Sequence, residues 1–330
     1  MGWACVVTLT TSGGCQSIST YEAEQHLARS EQILTEDPLE KALGELQRAV
    51  ELDPSFAEAH AKMGEIYERK GEYERAVGAF AAAVTHDPKS FNSAVNLGRL
   101  YHMTNRLNDA VEAYLHAVDL SPNDFDAQLN LGVVYQQMGD LGGAVDRFER
   151  ALQIDPARPY AYVNLGVAYD AQDKSYEAIN AYQEALERDA NQPLVLVNLS
   201  NAYMKQGRLK LAKQALQQAL KMEPCLAAAH EALGLCLFCL EEYDAAEDSY
   251  LTALGIDPSL ANSHAGLGSI HMLQHVKSPD RIDLRDKAME EWHRSLELNP
   301  RQAKLRRLIA KYQPDAAPPR PASAGARGND

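Results

Sequence analysis

Apolar and small residues recur along the chain in two helical runs that are separated by a short turn. Leu131 and Tyr135 are four residues apart, Ala144 and Phe148 are also four apart, and Gly139 lies between the two pairs. Residues at this spacing share one face of an α-helix, and glycine is common in turns. The pattern therefore predicts two short antiparallel helices that pack through these faces.

The two-helix pattern repeats with a period of 34 residues. Position 20 of the unit is alanine in every copy: Ala42, Ala76, Ala110, Ala144, Ala178, Ala212, Ala246 and Ala288. Position 8 is small: Gly64, Gly98, Gly132, Gly166, Gly234 and Gly268, with Ser30 and Ser200 in two copies. We infer eight repeats: 23–56, 57–90, 91–124, 125–158, 159–192, 193–226, 227–260 and 261–300.

The unit resembles the tetratricopeptide repeat in eight positions. Positions 7, 8, 11, 15, 20, 24, 27 and 32 are Leu131, Gly132, Tyr135, Gly139, Ala144, Phe148, Ala151 and Pro156. The resemblance covers residues 23–300 and implies an all-α protein, a right-handed α-solenoid of helix-turn-helix repeats with a C-terminal capping helix. It also implies a protein-binding scaffold without enzymatic activity, whose first helices line the concave surface.

The ends of the array differ from its middle. The eighth repeat contains eight extra residues near His275 to Asp283, which predict a surface loop between its helices. Residues 301–312 place Leu305, Leu308 and Ile309 on one face, as expected of a capping helix. Residues 313–330 are rich in Pro, Ala and Gly and predict a disordered tail. Within the regular repeats, Asp155 is expected to cap the helix that follows it.

Net charge bears on the class of partner. The chain carries −14 overall, but residues 301–330 carry seven Lys or Arg and two Asp. Residues 1–300 therefore contain 25 basic and 44 acidic residues, a net charge of −19. This balance argues against nucleic acid as a partner and favours a basic protein or peptide.

The leader, residues 1–22, indicates a possible location. An apolar run, Trp3 to Leu9, precedes small residues and Cys15, and this order resembles the lipobox of bacterial lipoproteins. The resemblance implies that Cys15 is a lipid anchor and that the protein lies on the periplasmic side of the bacterial cell envelope. The leader lacks the basic residues of a signal sequence, and Ser12 stands where an aliphatic residue is usual. The alternative is a disordered leader on a cytoplasmic protein.

Sequence motifs give little indication of catalysis or of a cofactor. Phosphate-binding loops, nucleophile elbows and His-Glu-x-x-His motifs are absent from the sequence. Cys236 and Cys239 lie three residues apart, with His264, His271 and His275 in the next repeat. They support an alternative function, a thiol-redox or metal-handling protein, although buried cysteines are more often packing residues.

Four asparagines suggest where a partner binds: Asn96, Asn130, Asn164 and Asn198. All occupy position 6 of consecutive repeats. A carboxamide can donate and accept hydrogen bonds at once, so the row predicts a surface that holds the backbone of an extended peptide. The nearby candidates are uncharged and mostly apolar: Val133, Val167, Asn201, Met204, Leu235 and Phe238. The alternative is that asparagine is simply frequent at this position in the family.

We expect Cys15 to carry lipid in the native host. Metabolic labelling with a palmitate analogue should mark the wild-type protein and leave Cys15→Ser unlabelled, because that thiol is the expected attachment point. An unlabelled wild type would favour the cytoplasmic alternative.

Overall fold

The computed structural model describes residues 12–34 and 38–313, and within these ranges the secondary structure consists of α-helices without a strand. The chain divides after Gln172 into two compact units. The first contains α1 (Ser12–Leu34), α2 (Leu39–Leu52), α3 (Ala57–Arg69), α4 (Tyr73–His86), α5 (Phe91–Met103), α6 (Leu107–Leu120), α7 (Phe125–Met138), α8 (Leu141–Ile154) and α9 (Pro159–Ala171). The second contains α10 (Ser175–Arg188), α11 (Pro193–Lys205), α12 (Leu209–Met222), α13 (Ala227–Cys239), α14 (Tyr243–Ile256), α15 (Ala261–Lys277), α16 (Ile282–Leu298) and α17 (Ala303–Tyr312).

The helices pack in consecutive pairs, which confirms the predicted all-α solenoid of helix-turn-helix repeats. In the first unit α1 packs on α2, α3 on α4, α5 on α6 and α7 on α8, and each pair also contacts the next helix. In the second unit the pairs are α11 with α12, α13 with α14, and α15 with α16. The first helix of one repeat also contacts the first helix of the next, for example α11 with α13 and α13 with α15. These contacts form what we call the first-helix surface of each unit.

Five of the described pairs close through a glycine of the first helix, Gly64, Gly98, Gly132, Gly234 or Gly268, and a large side chain of the second. A Cβ at Gly132 would lie 2.6 Å from Cε1 of Phe148, and one at Gly98 would lie 2.9 Å from the ring of Tyr114. Real side chains do not approach so closely, so only glycine permits the ring to lie flat against the helix backbone. Burial of the ring raises the pKa of Tyr114 to about 12, which keeps its hydroxyl protonated.

The turn within the regular repeats requires a left-handed residue. Position 15 has a φ of 74° at Gly71, 83° at Gly139 and 69° at Gly207. Where the residue is not glycine the backbone is the same: φ is 58° at Asn105, 59° at Asp173 and 63° at Glu241. The geometry of the turn is therefore set by the packing of the two helices and is kept even where a side chain makes it costly.

Aspartate side chains stabilise the turn between repeats, and the prediction that Asp155 caps the following helix is wrong. Asp155 follows the last residue of α8, and its carboxylate accepts a hydrogen bond from the backbone N–H of Ala157 at 3.0 Å. Arg158 also donates to it, and these bonds lower the pKa of the Asp155 carboxyl. The helix that follows begins later, at Pro159. The aspartate thus stabilises the connection between α8 and α9, residues 155–158, rather than the start of a helix.

The array ends differ from the sequence prediction in two respects. The extra residues of the eighth repeat do not form a long loop: α15 and α16 each have 17 residues, and only residues 278–281 connect them. The insertion instead lengthens both helices, since α15 continues to Lys277 and α16 begins at Ile282. At the other end, α1 begins at Ser12, within the predicted leader.

The predicted capping helix is present as α17, which packs on α16 and buries Leu305 and Ile309 while Leu308 stays largely exposed. Residues 1–11 of the leader and residues 314–330 of the predicted tail lie outside the described residues. Among the described helices, none is long and apolar enough to cross a membrane.

The glycine contact leads to a stability prediction for a matched pair of substitutions. Gly132→Ala should destabilise by about 1 to 2 kcal/mol, because the clash with Phe148 outweighs the gain in helix propensity. Gly78→Ala should stabilise by about 0.5 to 1 kcal/mol, because Gly78 lies on an exposed face of α4 where a Cβ meets nothing within 4 Å. Urea unfolding followed by circular dichroism measures both changes, and equal effects would contradict the assigned packing.

Candidate functional site

In the first unit, the candidate asparagines Asn96, Asn130 and Asn164 lie on α5, α7 and α9, at equivalent positions of the first-helix surface. All three are half-buried, and so are Val133 and Val167, which lie one turn further along α7 and α9. Consecutive first helices are in contact here, since α7 touches both α5 and α9. This unit therefore presents two neighbouring pairs of a carboxamide and a valine.

Asn96 differs from the other two asparagines because it contacts an ion pair formed by Arg99 and Glu68. Its Oδ1 accepts a hydrogen bond from Nη2 of Arg99 at 3.2 Å. The same guanidinium donates to both carboxylate oxygens of Glu68, from Nη1 to Oε1 and from Nη2 to Oε2. The distance between Nη2 and Oε2 is 2.5 Å. This contact lowers the pKa of the Glu68 carboxyl and holds the Arg99 guanidinium in place. The expected lack of charge along the row of asparagines thus fails at α5.

In the second unit, first helices α11, α13 and α15 enclose a groove of about 620 Å³, which we call the α13 groove. Its lining residues are Leu194, Val197, Asn198, Asn201, Ala228, Glu231, Ala232, Leu235, Phe238, Tyr250, Asn262, Ala265, Gly266 and Ser269. Four of the predicted residues, Asn198, Asn201, Leu235 and Phe238, are brought together in it. Met204 lies on α11 as well but is not among the lining residues.

The walls of the α13 groove are apolar and open to solvent. Leu194 is 59% exposed and Leu235 is 47% exposed, and both line the same groove. Phe238 is half-buried and makes an edge-to-face contact with Tyr243, with ring centroids 5.5 Å apart. This contact fixes the orientation of the Phe238 ring, so one wall of the groove is preformed.

The floor of the α13 groove is formed by Tyr250 of α14. A Cβ at Gly234 would lie 2.7 Å from Cδ1 of Tyr250, and one at Gly266 would lie 2.8 Å from its hydroxyl oxygen. The ring therefore lies between α13 and α15, where burial raises the pKa of its hydroxyl well above the usual value. Gly266 occupies the position of the asparagines in its repeat, and Ala232 occupies it in the repeat before. These small residues leave space that a carboxamide fills elsewhere.

Glu231 is the only charged residue among the described residues that line the α13 groove. It is half-buried on α13. Its Oε1 accepts a hydrogen bond from Nδ2 of Asn262 at 3.2 Å, and its Oε2 accepts one from Oγ of Ser263 at 2.9 Å. Two neutral donors thus orient a carboxylate at the rim of an apolar cleft.

The sequence prediction missed several residues of this site, including Leu194, Glu231 and Asn262. Leu194 and Asn262 occupy position 2 of their repeats, one turn before the asparagine position, and Glu231 occupies position 5. Positions 2 and 5 are three residues apart and therefore lie on one side of the first helix. That helical spacing was the signal that could have identified them. The sequence pattern did not indicate the space above Gly266, because this space results from the absence of a side chain at that position.

The structure does not support the alternative function that rests on the two cysteines. Cys236 is buried and its Sγ donates to the carbonyl oxygen of Leu209 at 3.3 Å, whereas Cys239 is exposed. Burial raises the pKa of the Cys236 thiol to about 11, so it has little thiolate at neutral pH. His264 and His275 contact different groups, Oε2 of Glu291 at 2.6 Å and the carbonyl oxygen of Arg281 at 3.0 Å. Across residues 12–34 and 38–313, no group of three or more His, Cys, Asp or Glu residues is placed to hold a metal ion.

Family models match most of the repeat region. Models described as "Tetratricopeptide repeat" match residues 57–90, 123–191 and 197–261, and one described as "TPR repeat" matches 38–71 and 98–139. A model described as "YpiA-like, C-terminal tetratricopeptide repeats" matches 159–225. Together these matches span more than half of the chain. No curated protein sequence matches it.

Solved structures with similar folds include a tetratricopeptide repeat protein from Parabacteroides merdae, with a TM-score of 0.63, 14% identity, and coverage of 78% of this chain and 99% of that one. The Cut9–Hcn1 heterotetramer of the APC/C gives a TM-score of 0.58 and 16% identity, and the match covers 92% of this chain and 60% of that one. PilF of Pseudomonas aeruginosa gives a TM-score of 0.53 and 20% identity, and the match covers 64% of this chain and 96% of that one. At these identities the likeness shows the fold alone.

The different surroundings of the cysteines predict different reactivity. At about pH 8 an alkylating reagent should modify the exposed Cys239 rapidly in the folded protein. It should leave Cys236 unmodified, because burial keeps the Cys236 thiol protonated and out of reach of the reagent. Cys236 should react only after the protein unfolds. Peptide mass spectrometry after timed alkylation measures both rates. Equal rates in the folded state would support the redox alternative.

Proposed function

The chain belongs to the tetratricopeptide repeat family, whose fold serves as a scaffold for protein–protein interaction, and we propose that it holds an extended segment of a partner protein in the α13 groove. We propose that it does so as an adaptor and catalyses no reaction. The observation that carries the proposal is the groove itself, which combines exposed leucines on α11 and α13 with carboxamides on α11 and α15. Exposed apolar surface of this kind is typical of binding sites.

Asn198 and Asn201 give the groove a way to bind a backbone of any sequence. They lie three residues apart on α11, so both carboxamides line the same side of the groove. Each carboxamide offers a donor and an acceptor, which match the C=O and N–H groups of an extended peptide. The apolar walls formed by Leu194, Leu235 and Phe238 then receive side chains of the partner.

In the first unit, Asn130 and Asn164 with Val133 and Val167 form a second surface for which we propose the same role. Their half-burial leaves the carboxamides partly open to solvent. We propose that Asn96 contributes least, because its carboxamide oxygen is engaged by Arg99. The partner is a protein or a peptide and not a nucleic acid, since residues 1–300 carry a net charge of −19.

We also propose that the scaffold acts in the bacterial cell envelope, attached through lipid on Cys15. The support for this location is the order of residues Gly13, Gly14 and Cys15 followed by a polar spacer. The backbone of Cys15 lies in α1, and its side chain is outside the described residues. Without a lipid the same scaffold would act in the cytoplasm.

We expect the double substitution Asn198→Ala with Asn201→Ala to weaken partner binding by about 2- to 150-fold. The two carboxamides can form two to four hydrogen bonds of about 0.5 to 1.5 kcal/mol each, and we expect about half of these to be engaged by the partner and lost in the variant. The partner is recovered from the native host by affinity capture, and calorimetry measures its binding. Folding should survive because alanine is a good helix former.

The control is Asn191→Ala, which makes the same change at an exposed position outside the groove. Circular dichroism verifies the fold of every variant. If the double variant is folded and binds with unchanged affinity, the asparagines have no role in binding.

A further inference from the structure

We propose that the segment bound in the α13 groove carries a large apolar side chain with a lysine or arginine one or two residues away, and that its cation pairs with Glu231. This inference rests on the proposed function and adds a specificity to it. The apolar side chain occupies the space above Gly266 and Tyr250, and the basic side chain reaches the rim of the groove.

The first argument is the state of the Glu231 carboxylate. Each of its oxygens accepts one hydrogen bond, from Asn262 or from Ser263, although an ionised carboxylate can accept about four. Within the described part of the chain, no Lys, Arg or His lies within ion-pair distance of it. Other half-buried carboxylates do have such a partner: Glu68 pairs with Arg99, and Glu291 with His264. A half-buried, oriented carboxylate without a cation is a site that a cationic ligand stabilises.

The second argument is the space beside it. Ala232 and Gly266 stand where the four preceding repeats have asparagine, so the groove is deeper here than a continuous row of carboxamides would allow. Leu235 and Phe238 flank this space, and the buried Tyr250 closes it below. The α13 groove as a whole has a volume of about 620 Å³, which falls within the range of ligand pockets and is enough for a large side chain and the adjoining backbone.

The third argument is charge complementarity over longer distances. The net charge of −19 on residues 1–300 attracts basic segments and repels acidic ones. The groove adds a local preference, because among its described lining residues the single charged group is negative. A neutral apolar peptide would fill the cleft and leave Glu231 without a cation, whereas an acidic peptide would be repelled.

The test is selection of peptides from a random display library against the full chain. The immobilised proteins are the wild type, Glu231→Gln and, as a matched control, Glu187→Gln, which removes the same charge from an exposed position outside the groove. The glutamine retains an oxygen that can accept from Asn262, and circular dichroism verifies the fold. We expect the wild type and Glu187→Gln to enrich peptides with Lys or Arg beside Leu, Ile, Met or Phe. Glu231→Gln should lose the basic preference and retain the apolar one.

A selected peptide should also bind Glu231→Gln about tenfold more weakly than the wild type at low salt, which corresponds to about 1.4 kcal/mol. Peptides without a basic preference, or with the same preference on Glu231→Gln, would overturn this inference and leave the proposed function intact. The proposed function itself fails if no peptide is enriched, or if selected peptides bind Leu235→Asp as tightly as the wild type.

Discussion

The contact between a small residue of the first helix, usually glycine, and a buried large side chain of the second is the constraint on which the described helix pairs depend. In the third and fourth repeats the ring of Tyr114 or Phe148 lies where a Cβ of Gly98 or Gly132 would be, so helix separation and crossing are fixed together. The two exceptions support this view. Where the small residue is Ser30 or Ser200, position 24 is leucine (Leu46 and Leu216) rather than an aromatic residue. Each serine hydroxyl donates to its own helix, at 2.6 Å, so the extra atoms are accommodated by a narrower partner.

Much of this fold could be predicted from sequence because the same small set of side chains recurs with one period. Helix pairs, the glycine at the crossing and the capping helix α17 all follow from local spacing. The insertion was assigned wrongly because spacing does not reveal whether extra residues extend helices or form a loop. The pairing of Arg99 with Glu68 was missed because it joins residues 31 positions apart, for which the repeat pattern gives no information.

The candidate site arises where the repeats depart from their own regularity. Position 6 is asparagine from the third repeat to the sixth, and its replacement by Ala232 and Gly266 opens the α13 groove of the second unit. A sequence comparison of repeats highlights residues that are present at equivalent positions. It therefore identified Asn198, Leu235 and Phe238, but not the depth of the groove or the carboxylate of Glu231, which depend on three neighbouring helices at once.

Site-specific photo-cross-linking would test most directly whether a partner segment lies in the α13 groove. A photoreactive phenylalanine analogue replaces Leu235 in the groove or, as a control, Leu251, which is 53% exposed on α14 and does not line it. If the segment occupies the groove, the partner cross-links from position 235, an excess of a selected peptide abolishes that cross-link, and position 251 gives none. Equal cross-linking from both positions, or cross-linking only from position 251, would contradict the assignment of the binding site.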